Sequence, residues 1–166
     1  MFHPDSFKVS TPTDHEIQVT RDFHAPRHLV FDAFTNPDLV RRWLLGPPGW
    51  TMPVCEIDLK VGGTYRYVWR KTGVADMGMG GVFREIVSPE RVVATEKFDE
   101  TWYPGDALDT TVFVSQGDIY HQNHDHDPFM SQRKPATRHA GRAWSTGWQL
   151  ATTGFRNSCR RYWRKE

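Results

Sequence analysis

Ala25-Pro26-Arg27-His28-Leu29-Val30-Phe31-Asp32-Ala33-Phe34-Thr35-Asn36-Pro37-Asp38-Leu39-Val40-Arg41-Arg42-Trp43 is the stretch on which the reading of this chain turns. It holds two short helices, each opened by a proline. Pro26 suits the first turn of a helix, where the missing N–H has no partner to lose. Val30, Ala33 and Phe34 then share one face at helical spacing. Thr35 or Asn36 can cap a second helix, with Pro37 in its first turn and Asp38 suiting its positive end. Leu39 and Trp43 are four apart and share a face. Two helices this short do not make a domain, so they must lie across something apolar.

The neighbouring sequence supplies strands. Residues 16–23 alternate, with Ile17, Val19 and Arg21 opposite Gln18, Thr20 and Asp22. After the rigid loop Gly46-Pro47-Pro48-Gly49-Trp50, residues 54–59 set Cys55, Ile57 and Leu59 against Val54, Glu56 and Asp58. Val61-Gly62-Gly63 turns the chain into a strand whose one face carries Tyr65, Tyr67 and Trp69. Residues 77–87 read as a fourth strand, where Gly78, Gly80 and Gly81 allow a bulge or a close backbone approach. Ser88-Pro89-Glu90 turns into a fifth strand over 91–99, and a sixth covers 110–115. Short turns between sequential strands predict an antiparallel meander. The whole is an α+β domain with one curved sheet and two short helices.

A length of 166 residues fits a single domain, 1–166, with a sizeable core. Formal charge is +1, which makes no case for nucleic-acid or membrane binding. No apolar run approaches the roughly 20 residues of a membrane span. Met1-Phe2-His3-Pro4-Asp5 lacks the basic and apolar regions of a signal peptide. Two cysteines, Cys55 and Cys159, make no disulfide framework, so a reduced, cytoplasmic protein is expected. Charge is unevenly spread. Residues 117–166 hold nine of the 21 basic and four of the 20 acidic side chains, so the tail is +5 and the remainder −4.

Four segments carry a resemblance. They are Phe23-His24-Ala25-Pro26 with the helical run to Trp43; Asp58-Leu59-Lys60-Val61-Gly62-Gly63-Thr64-Tyr65-Arg66-Tyr67; Gly81-Val82-Phe83-Arg84-Glu85-Ile86-Val87; and Pro89-Glu90-Arg91-Val92-Val93-Ala94-Thr95-Glu96. In this order and spacing the chain resembles the SRPBCC, or START-like, superfamily with the helix-grip fold. Within it, the likeness is to bacterial relatives of the C-terminal domain of the activator of the heat-shock protein 90 ATPase. It covers about residues 16–115. It implies a long C-terminal helix gripped by the curved sheet, with a cavity between them.

After Gly117 the chain departs from that pattern. Family members end in a threonine-rich strand and an amphipathic helix; here stand His121-Gln122-Asn123-His124-Asp125-His126-Asp127 and Arg142-Ala143-Trp144-Ser145-Thr146-Gly147-Trp148. A frame shifted back one nucleotide lets residues 134–137 read Glu-Ala-Arg-Asp. Residues 144–158 then read Met-Glu-His-Gly-Met-Ala-Ala-Ser-Tyr-Asp-Arg-Leu-Gln-Glu-Phe, which resembles the missing helix. A forward shift near 123–127 allows a run of threonines. The expectation is two small insertions or deletions in the gene or its sequencing, and codons for 144–158 that do not encode the helix in that frame would refute it.

Candidate chemistry follows from side chains at these positions. Trp43, Tyr65, Tyr67, Trp69, Met79, Phe83, Phe98 and Phe113 are candidates to line a ligand pocket, with tyrosine hydroxyls as polar handles. Core packing alone accounts for about half of them. His121, His124 and His126 are weak metal-ligand candidates, because a metal site needs a scaffold and this segment has no periodicity to supply one. Cys55 reads as a buried structural thiol. Glu56, Asp58, Glu85 and Glu96 read mainly as partners for Arg66, Arg70, Arg84 and Lys97. No cofactor motif, nucleophile–base pair or metal triad is found.

The expected function is therefore non-enzymatic binding of a small hydrophobic or amphipathic ligand. A protein-interaction module with a chaperone partner is the second reading. An enzyme of the cyclase or hydrolase type found in the superfamily is the third. Monomer and homodimer both fit.

Overall fold

The computed structural model describes residues 6–13, 16–100, 107–116 and 119–127; of 116 and 119–127 it describes the backbone alone. The elements in chain order are β1 (Lys8–Ser10), β2 (Ile17–Phe23), α1 (Arg27–Thr35), α2 (Pro37–Trp43), β3 (Thr51–Ile57) and β4 (Thr64–Arg70). They continue with β5 (Met77–Val87), β6 (Arg91–Phe98), β7 (Ala107–Gln116) and β8 (Ile119–Asp127). The strands form one curved antiparallel sheet in the order β1-β2-β8-β7-β6-β5-β4-β3. β3 to β8 are a meander, and β2 closes against β8 with Ile17 opposite His126 and Phe23 opposite Tyr120. This is the α+β, helix-grip architecture expected of the sequence.

The helix pair forms as its residues dictate. Pro26 is the N-cap of α1 rather than a residue of its first turn, and its carbonyl accepts from the N–H groups of Leu29 and Val30. Asn36, not Thr35, caps α2: its side-chain oxygen accepts from the Asp38 N–H at 2.9 Å. Thr35 turns inward instead, and its hydroxyl donates to the Phe31 carbonyl at 2.9 Å. Trp43 locks the two helices together by donating its indole N–H to the Ala33 carbonyl at 2.8 Å. α1 packs on β7 and α2 on β3, so the pair spans the inner face of the sheet.

Four strands differ from expectation, β7 by beginning at Ala107 rather than at residue 110. β1 is short and exposed, without alternation to announce it. β3 begins at Thr51, three residues early, because a register shift between Thr51 and Val54 absorbs Pro53 on an edge strand. β8 runs through the histidine-rich segment read as having no scaffold. Its ladder is made by backbone on both sides, to β2 and β7, and needs no apolar period. The expected long C-terminal helix, the altered-frame reading and Cys159 lie outside the described residues. Among those described, no helix is long and apolar enough to cross a membrane.

The glycines of β5 permit close approach. A Cβ on Gly81 would collide with the Thr95 carbonyl oxygen, and one on Gly78 with the Asp99 carboxylate. Without Gly78 the Arg66–Asp99 pair, at 2.7 and 2.5 Å, could not lie across the strand.

Candidate functional site

Two aromatic arrays face each other across the inner side of the sheet. The first belongs to the helices: Phe34 packs against Trp43 with ring centres 4.7 Å apart and planes inclined at 55°, and meets Phe113 of β7 edge-on at 5.8 Å. Phe31 meets the same Phe113 at 5.4 Å. The second runs along β4, where alternation puts Tyr65, Tyr67 and Trp69 on one face. Tyr65 lies 5.1 Å from Tyr67 and 5.5 Å from Phe83, and Tyr67 lies 5.9 Å from Trp69. Between the arrays is a cavity of about 100 Å³.

Of the eight candidate pocket residues, six line this cavity: Trp43, Tyr65, Tyr67, Met79, Phe83 and Phe113. Trp69 and Phe98 do not. Both are buried in the core, and the Trp69 indole donates to the Leu44 carbonyl at 2.7 Å. Val40, Leu44, Val92 and Ala94 complete the apolar wall.

Sequence reading missed the polar part of the wall. Thr35, Glu96, Asp109 and Thr111 all reach the cavity. Ala94 pairs with Asp109, Glu96 with Ala107 and Val92 with Thr111, so the two carboxylates are diagonal neighbours on one face of β6 and β7. The signal was present for Glu96, which alternates with Val92, Ala94 and Phe98. β7 begins at Ala107, three residues before the strand expected over 110–115, and so takes in Asp109.

The tyrosines differ in how their hydroxyls are satisfied. Tyr65 donates to the Thr95 carbonyl at 3.0 Å. Tyr67 is buried and, among the described residues, no hydrogen bond reaches its hydroxyl. Burial first, then unfavourable electrostatics with Cys55, Asp109 and Glu96, push its pKa up, so the phenol stays protonated.

Other candidates resolve plainly. Cys55 is buried, its thiol donates to the Pro37 carbonyl at 3.5 Å, and burial raises its pKa against the opposing pull of Arg41. Such a thiol is inert. Arg66 and Arg70 pair with Asp99 and Asp76 instead of the strand carboxylates first assigned to them. Asp58 pairs with Lys60 at 2.9 Å, and Glu85 with Arg91 at 3.7 Å. Among the described residues no group of three His, Cys, Asp or Glu could hold a metal. The backbone of His121, His124 and His126 lies in β8 opposite Val114, Thr111 and Asp109; their side chains lie outside the described residues.

A family model described as "Activator of Hsp90 ATPase homolog 1-like protein" matches residues 24–157. A solved protein from Rhodobacter sphaeroides is 24% identical, with a TM-score of 0.77 over 90% of this chain and 95% of that one. One from Chromobacterium violaceum is 25% identical, with a TM-score of 0.71 over 86% and 95%. An HSP90 activator from Plasmodium falciparum is 23% identical, with a TM-score of 0.58 over 81% and 87%. Among curated proteins there is no match.

Proposed function

Because this chain belongs to the Activator of Hsp90 ATPase homolog 1-like family, we propose that it is a non-enzymatic START-like binding module that takes a small hydrophobic or amphipathic ligand into the cavity between its helix pair and its sheet. One observation carries this reading: the aromatic walls border a half-open cavity of about 100 Å³ that their own side chains leave unfilled. Protein cores are otherwise close-packed, and an apolar cavity of about 150 Å³ takes up benzene. The volume suits one ring or a short chain. Trp43, Tyr65, Tyr67, Met79, Phe83 and Phe113 are the contact residues in this reading. A soluble cytoplasmic protein, monomeric or dimeric, is consistent with it.

The test is thermal melting against rising concentrations of benzene, toluene and indole. Binding to the folded state raises Tm by mass action. Ala94→Leu places bulk in the cavity wall and should abolish the rise. No Tm response to any probe would defeat the proposal.

The family description favours a second reading, a co-chaperone-like module that docks on a heat-shock protein 90 ATPase. Adding the chain to that ATPase should then change its hydrolysis rate, and an unchanged rate with no co-sedimentation rejects it.

A further inference from the structure

Tyr65 and Tyr67 stand two positions apart on the same face of β4, and both are 8% exposed. Their hydroxyls meet different ends. Tyr65 is opposite Gly81 of β5. A Cβ on Gly81 would crowd the Tyr65 ring at 2.9 Å, so its absence lets that ring lie across β5 and donate to the Thr95 carbonyl at 3.0 Å. Tyr67 is opposite Met79. Residues paired in this way share a face, so a side chain fills the place that Gly81 leaves open. The Tyr67 ring cannot lie down as its neighbour does.

The result is a buried hydroxyl with no hydrogen-bond partner among the described residues. Its ring is held between those of Tyr65 and Trp69, and it lines the cavity beside Met79. Glu96 and Asp109 are near enough to act on the hydroxyl, and both line the same cavity, which puts the hydroxyl on the cavity side of β4. Buried hydroxyls are almost always hydrogen-bonded, and a donor left unmet in a dry place is costly. The fold leaves this position for a group brought in from outside.

We infer that the cavity takes an uncharged amphipathic molecule with a hydrogen-bond-accepting oxygen on a ring or short chain: the apolar part lies between the aromatic arrays, and the oxygen accepts from the Tyr67 hydroxyl. This rests on reading the cavity as a ligand site, and it names the class of ligand and the residue that orients it. A hydrocarbon of the same shape leaves the hydroxyl dry. An ion needs several partners to offset its lost hydration, and Tyr67 supplies a single hydrogen bond. The oxygen gives up hydrogen bonds to water on entry, so the contribution of Tyr67 shows as discrimination rather than as raw affinity.

Cyclohexanone, methylenecyclohexane and cyclohexanecarboxylate test the assignment, the first two having one shape with an oxygen in place of a methylene. Each is measured by calorimetry on the full chain and on Tyr67→Phe. Cyclohexanone is expected to bind the unaltered chain and to lose at least ten-fold in affinity in Tyr67→Phe, while methylenecyclohexane changes less than two-fold. Cyclohexanecarboxylate is expected to bind neither. The infrared carbonyl band of cyclohexanone bound to the unaltered chain should lie below its position in hexane, as a hydrogen-bonded oxygen requires, and this reading stands even where the variant does not fold. A bound band at the hexane position overturns the inference and leaves the cavity reading standing. So does an equal response of the two uncharged probes to Tyr67→Phe, binding of methylenecyclohexane alone, or carboxylate binding as tight as that of the ketone. If none of the three binds, both readings fail.

Discussion

At the scale of one residue, the burial of Tyr67 makes stability depend on pH. Its pKa in the fold stands above the ordinary 10.0 because ionising it would place a charge among rings and beside carboxylates. The stabilisation this provides is complete below pH 10 and fades as pH rises further, since the unfolded chain then ionises and the folded one does not. The slope for a single proton is at most about 1.4 kcal/mol per pH unit. Urea denaturation between pH 9 and 11 should show the wild type losing stability faster than Tyr67→Phe, and parallel loss would contradict the buried, protonated phenol. Asp99 behaves in the opposite sense. Hydrogen bonding to Arg66 holds its carboxyl below 3.8, so the pair stabilises above that pH and is lost as the carboxylate protonates below it. Both side chains are well exposed, so Arg66→Ala should cost only about 0.5 kcal/mol at pH 7, and less as the Asp99 carboxyl protonates in acid. Sequence alone found the tyrosine stripe because alternation along β4 is strict. It assigned Arg66 to the wrong carboxylate because Asp99 lies past the end of β6 and reaches Arg66 only over Gly78.

At the scale of elements, the helix pair was legible because each of its signals is local: a proline, a cap and an apolar face. Asn36→Ala removes the acceptor for the Asp38 N–H and should cost about 1 kcal/mol, measured by chemical denaturation. Trp43→Ala should cost roughly 3–5 kcal/mol, because the ring is buried and its N–H bonds the Ala33 carbonyl. A loss under about 1 kcal/mol would mean that α2 does not pack where it is placed. Strands told the reader less. β5 was legible to both its ends, since turns flank it. β8 was not legible at all, because a strand with a neighbour on each side is held by a ladder whose acceptors and donors are the same in every sequence. The polar cavity wall was half-legible for a related reason. Glu96 belongs to a strand read correctly, whereas Asp109 required the register of β6 on β7.

At the scale of the molecule, an open sheet has two edges, and both are blunted. β1 offers three residues, and β3 carries Pro53 where its ladder shifts register. Pro53→Val restores a donor to that edge and should raise the fraction of dimer and larger species in light scattering. An unchanged mass distribution would show that the edge is guarded by something else. The order of strands has a consequence in time as well as in space. Ile17 pairs with His126, so the two halves of this ladder are made roughly a hundred residues apart. At about 5–20 residues per second, β2 leaves the ribosome some 5–20 s before its partner exists. Throughout that interval Phe23 and the apolar side of the helix pair have no finished sheet to rest on.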